Sequence, residues 1–471
     1  MTSKYALPLV VASSIMLAGC FDGSSSSSGP ASITAQVRVI HASPDAPPVN
    51  ILVNGEAAVE GADYKQAVLL TPEPGDYEIA VEGIVPGGNS IVIGPADFSF
   101  EAENRYNVVA IGPVSSISPL VFVEDEPDFS STSEVRLMIG HLAPNAPNVD
   151  IYVTAAGEGN DLSAEDGPLL ADVPYETVTE EPLIVPAGEY RIQITAAGAF
   201  DPVFDSGDVT LPAGGDLFIG AVQNTGANFS KDGASPISLI VVDGADVSEI
   251  YDANQGAGVR VVHASSDAPD VDVLVDGGVT PLTNIAFGDV SPSGILDGYA
   301  VLPGGETTLG VAATGTTDPV IETVEDLANG KGYTVLAVGQ LENIEGLVEE
   351  DEVRRISTQA SLRIIHASAL AGNVDVYLVP GSQDGIGNSE PTLADVPFKA
   401  VTDYLPVAGG TYNVYIATAG TGTPAITAEN IELNDGQIYT AVARDADPDA
   451  MPPLDTLGLI LFDDFIAAEP N

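Results

Sequence analysis

Four copies of one short motif constrain this chain more than any other feature: VRVIHASPDAP, VRLMIGHLAPNAP, VRVVHASSDAP and LRIIHASALAG, which contain all four of its histidines, His41, His141, His263 and His366. Successive histidines lie 100, 122 and 103 residues apart. Each copy therefore opens a unit the size of a small domain rather than one turn of a solenoid. Cutting at the repeats gives Ile33 to Pro127, Ser133 to Gly244, Gly256 to Asp351 and Gln359 to Phe465, joined by short linkers. Four such domains in line would reach on the order of 140 Å.

Inside each unit the pattern is that of strands. β-branched runs of four to seven residues alternate with Gly and Pro turns, and no long stretch has helical period. A second strand follows each motif: Val49 to Val53, Val149 to Val153, Val271 to Val275 and Val374 to Leu378. One face of it is aliphatic, and the other starts with Asn50, Asp150, Asp272 or Asp375. Seven or so short strands per unit predict an all-β chain of four tandem immunoglobulin-like antiparallel sandwiches, without the usual Cys and Trp marks. Units two and four share an insertion and a phrase, Leu170-Ala171-Asp172-Val173-Pro174-Tyr175 against Leu393-Ala394-Asp395-Val396-Pro397-Phe398. The order is A-B-A-B, as duplication of a two-domain pair would produce, and the pair is a candidate structural unit.

The motif and its following strand resemble the bacterial domain of unknown function 4397 family. The resemblance covers nearly all of the chain after residue 32 and implies an exported, often tandem β-domain with no catalytic residues to carry over. Units one and three fit best. Unit four has Ala369-Leu370-Ala371-Gly372 where the family has Pro-Asp-Ala-Pro, and unit two has two extra residues before His141.

The first nineteen residues read as an export signal, with Lys4, an apolar run from Ala6 to Leu17, and Leu17-Ala18-Gly19-Cys20. That tetrapeptide resembles the bacterial lipobox, so Cys20, the only cysteine, is the expected lipid attachment point. Residues 20 to 32, with serines from Ser24 to Ser28, read as a flexible tether. Phe21 follows the cysteine, where the resemblance to Gram-negative lipoproteins gives aspartate for inner-membrane retention, so the outer membrane is the expected address.

Fourteen Lys and Arg against 68 Asp and Glu give a net charge of −54. Nucleic acid is excluded as a partner on that ground, whereas 45% hydrophobic residues exclude a disordered acidic tail. Salt adaptation, divalent-cation binding and a basic partner all fit such acidity. Four of only nine arginines, Arg38, Arg136, Arg260 and Arg363, recur in the motifs. Each lies an odd number of residues from its histidine, so the two point to opposite faces of a strand. The arginines are expected to pair with Asp150, Asp272, Asp375 or Asn50 on the next strand, as exposed pairs contributing about 0 to 1 kcal/mol; an anion hook is the functional alternative.

The histidines are expected to satisfy backbone carbonyls of the following turn. The other reading is a metal ligand, but a single His with Asp45 or Asp267 is a thin set for zinc. Calcium has a weak case at Asp267, Asp270 and Asp272. There is no G-x-S-x-G, H-E-x-x-H or P-loop, which argues against an enzyme. The expectation is a non-catalytic, lipid-anchored envelope protein that binds an envelope or extracellular protein or polysaccharide. A periplasmic scaffold or accessory subunit is the rival, and a calcium-dependent polymer-binding or processing protein a third reading.

Overall fold

A computed structural model describes residues 34–125, 129–157, 162–163, 165–226, 229, 235–292, 298–446 and 457–463. The signal, Cys20 and the serine tether lie outside the described residues.

Repeat 1 shows the plan. Its strands are β1 (Gln36–His41), β2 (Val49–Val53), β3 (Glu56–Ala62), β4 (Ala67–Leu70), β5 (Gly75–Gly83), β6 (Ser90–Phe100), β7 (Asn104–Ile111) and β8 (Ser118–Asp125). One sheet has the order β4-β1-β7-β8 and the other β3-β2-β5-β6. The chain is all-β, and the same two sheets recur in each of the other three repeats. Among the described residues each repeat holds one parallel pair, β1 with β7 or its equivalent, flanked by antiparallel neighbours. The strands equivalent to β1 are Glu134–His141, Ala257–His263 and Ala360–His366.

Alternation along β1 gives each residue its place. Val37 and Val39 face Val49, Ile51, Val81 and Val108 in the core between the two sheets, while Arg38 and Ile40 point the other way. That outer face is nevertheless buried, because the repeats pack in twos. The described chain divides into two compact units, one holding repeats 1 and 2 and the other repeats 3 and 4 together with Phe229. In the first unit Ile40, Ala42, Val109 and Ile111 of repeat 1 meet Met138, Leu142, Phe218 and Val222 of repeat 2. In the second, Val262, Ala264, Leu336 and Val338 meet Ile365, Ala367 and Val442. The two repeats of a unit thus lie sheet against sheet, so the in-line arrangement does not hold within either.

Repeat 2 achieves this contact with large and small residues exchanged. A Cβ on Gly220 would come within 2.9 Å of Leu142, and one on Gly140 within 3.1 Å of Phe218. The two extra residues before His141 lengthen the strand without a bulge, since its parallel register runs unbroken from Arg136 opposite Asp216 to His141 opposite Ala221. In repeat 4 the insertion covers the outer face of the second sheet. There Ile386 packs with Tyr377, Val379 and Tyr415, and Gln383 Nε2 donates to the carbonyls of Gly385 and Ile386.

Candidate functional site

Each histidine ends its strand at the crossover from one sheet to the other, and its ring ties that arch. Nε2 lies 3.1 Å from the Pro47 carbonyl in repeat 1, 3.1 Å from Pro147, 3.0 Å from Pro269 and 2.7 Å from Gly372 in the others. Nδ1 of His41, His263 and His366 accepts the backbone N–H two residues on, from Ser43, Ser265 and Ser368, each at 3.3 Å. One nitrogen donating and the other accepting defines a neutral ring. Burial also pushes His141, His263 and His366 below the usual histidine range. In repeat 2, Nδ1 of His141 is buried without a hydrogen-bond partner.

An aromatic ring that the sequence reading missed completes the arch. Tyr64, Tyr175, Phe287 and Phe398 each stand edge-on to the histidine of their own repeat, with centroids 6.1 to 6.4 Å apart. The next residue, Lys65, Glu176, Gly288 or Lys399, has a φ between 64° and 90° and donates its N–H to the histidine carbonyl. Two of these aromatics close the shared phrase of repeats 2 and 4, the one signal that could have found them. The Asp of that phrase is explained as well. Asp172 and Asp395 adopt positive φ and donate their N–H to Asp150 and Asp375.

The arginines are not paired as expected. β1 and β2 belong to different sheets, so Asp150, Asp272 and Asp375 face away from the arginines on the far side of each sandwich. These aspartates bind loop N–H groups instead: Asp150 takes Gly198, Asp272 takes Asn284 and Gly315, and Asp375 takes Gly420. Asn50 likewise accepts from Gly61.

The arginines are buried in the seam between paired repeats rather than exposed. In the first unit Arg38, 1% exposed, donates Nε to Asn107 at 2.6 Å and Nη2 to Glu124 at 2.9 Å. Arg136 grips Asp216 with two bonds of 2.7 Å, and Arg105 reaches the same carboxylate across the seam at 2.8 Å. Burial draws Arg38 down to about 10, opposed by Glu124. Burial alone would raise Asp216, but Arg136 and Arg105 outweigh it and hold its carboxyl below the usual range.

In the second unit Asp351 sits between Arg260, at 3.3 Å, and Arg363, at 2.5 Å, and also accepts from Thr334 and Tyr299. The Arg260 guanidinium lies between the rings of Tyr299 and Phe462, 4.8 and 4.5 Å from their centroids. Here too burial would raise the carboxyl, and the two arginines hold it low.

The calcium candidates are likewise engaged separately. Asp267 accepts the Leu341 N–H at 2.7 Å, as Asp45 accepts that of Val114, so the acid of the motif caps a short 3-10 turn. Asp272 has both carboxylate oxygens on backbone N–H groups, chiefly Gly315, which keep it below the usual range. Asp270 is exposed. Among the described residues no group of three or more His, Cys, Asp or Glu could hold a metal ion.

Paired β-sandwich repeats, with recurring polar residues built into arches and seams, define the class of protein. The chain belongs to the DUF4397 family, a domain of unknown function, whose model matches residues 35–152, 257–377 and 379–470. Two of the matches end in the second strand of the following repeat. No curated protein matches the chain. Among solved structures it is similar to the CBMbc module, family CBM26, of Eubacterium rectale Amy13K in complex with maltoheptaose, at 11% identity and a TM-score of 0.14, over 47% of this chain and 97% of that one. It is also similar to a candidate cell adhesion protein from Parabacteroides distasonis, at 12% identity and a TM-score of 0.12, over 70% of this chain and 97% of that one.

Proposed function

We propose that this is a non-catalytic, lipid-anchored protein of the cell envelope, attached through Cys20, addressed to the outer membrane and serving as a surface binding or display module. One observation carries the non-catalytic part. The recurring histidines and arginines, the residues best suited to chemistry, are buried and bonded to backbone carbonyls, carboxylates or hydroxyls of the fold. Repeats differ in their loops, as in the repeat 4 insertion around Gln383 and Ile386, and loops on a rigid β-scaffold are where binding residues concentrate in general.

The lipid-free chain, residues 21–471, immobilised and exposed to envelope extracts and matrix polysaccharides with calcium or with chelator, is expected to retain a partner. Labelling with a radioactive fatty acid is expected to mark the wild type and not Cys20→Ala, and protease added to intact cells is expected to remove the protein. Turnover of an envelope polymer by the purified chain would defeat the non-catalytic reading. Absence of fatty-acid label would defeat the anchor, and full protection on intact cells would defeat surface display.

A further inference from the structure

The described cations of this acidic chain are concentrated where its repeats meet. In the first unit Arg38 lies over Phe218 of the other repeat, Lys65 pairs with Glu249, Arg105 with Asp216, and Arg136 approaches Glu124. In the second, Arg260 lies over Phe462, Arg363 pairs with Asp351, Lys399 with Glu345, and Arg444 lies over Phe287. Every one of these eight contacts joins one repeat to its neighbour. Only six further cations exist in a chain with 68 acidic residues. Two of them, Arg191 and Lys331, pair with an acid of their own repeat. Outside the seams each sandwich is thus almost purely anionic, and closing a unit brings two such bodies face to face.

We propose that each two-repeat unit is a salt-dependent clasp, in which ionic strength sets how firmly the apolar seam between its sandwiches is held. Two opposing terms decide the sign. Salt weakens the partly exposed pairs Lys65–Glu249 and Lys399–Glu345, and hardly touches the buried arginine clusters. It also screens repulsion among the many exposed carboxylates, which acts over about 30 Å at 0.01 M and about 8 Å at 0.15 M ionic strength. The carboxylates far outnumber the two exposed pairs, so the repulsive term wins and salt tightens the clasp.

The test follows hydrogen exchange of the seam strands and the melting temperature of the lipid-free chain, residues 21–471, in 10 mM to 1 M sodium chloride, choline chloride, and calcium chloride at matched ionic strength. The expected result is seam protection and a melting temperature that rise with salt equally in all three series. Lys65→Met with Lys399→Met is expected to shift the rise to higher salt. Two exposed acids replaced by lysine, Glu60→Lys and Glu78→Lys, are expected to shift it to lower salt. Protection that is flat or falls with salt would overturn the clasp, as would a rise seen only with calcium, which would mean a specific cation site.

Discussion

At the scale of single residues, the motif histidine is a structural hydrogen-bonding hub. Its ring spans the arch between two sheets, accepting from residue i+2 and donating to the carbonyl of residue i+6. His263→Leu leaves the Ser265 N–H buried without its partner, at about 1 to 3 kcal/mol, and also removes the bond to the Pro269 carbonyl. Chemical denaturation is expected to show that loss, with no change in metal content by elemental analysis. Stoichiometric metal lost with the substitution would contradict the account.

The same rings set the pH dependence. His141, His263 and His366 have folded pKa values below that of the unfolded chain, so the unfolded state binds more protons in acid. Their contribution is fully present above the unfolded value of about 6.5 and lost as pH falls below it. Asp216 and Asp351, also lowered, add a second loss below about pH 4. In 1 M sodium chloride, where carboxylate repulsion is screened to about 3 Å, denaturant midpoints across pH 3 to 8 are expected to stay level above 7 and decline in two stages below.

At the scale of elements, the outer face of β1 joins the repeats through apolar burial combined with a buried ion cluster. Each fully buried Val, Leu, Ile or Phe stabilises by about 1.5 to 3 kcal/mol, so apolar contact supplies the attraction. The arginine clusters, costly to desolvate, are expected to fix which repeat meets which and in what register. Glu124→Gln leaves Arg38 buried beside a neutral amide and is expected to cost about 3 to 5 kcal/mol. Arg38→Met added to Glu124→Gln removes the orphaned charge while the new side chain still offers an acceptor to the Asn107 amide, and this double change is expected to cost less than Glu124→Gln alone. A double-mutant cycle with no coupling would remove the cluster from this role.

For the whole molecule the two-repeat unit is the expected unit of cooperativity. With Ile40, Val109, Phe218 and Ile240 in one shared cluster, neither repeat of the first unit keeps its outer face buried once the other unfolds. Calorimetry of the full chain is therefore expected to show transitions with the enthalpy of about 200 residues each, on the usual scale of about 0.7 kcal/mol per residue. Transitions the size of single repeats would refute it.

Much of this was legible in the chain. Local pattern determines local structure, so period-two alternation predicted the strands, motif recurrence marked the four repeats, and odd spacing put Arg38 and His41 on opposite faces. The A-B-A-B order was also readable, since a phrase is either present or absent. The partners were not legible. Glu124 lies 86 residues from Arg38, and Asp216 lies 111 from Arg105, and nothing local distinguishes them among 68 acids. Nor did the sequence show that β1 and β2 part into different sheets, the step that turns the arginines away from Asp150, Asp272 and Asp375. Hydrophobic period fixes which face of a strand is buried, but only the packing of one sheet on another determines what buries it.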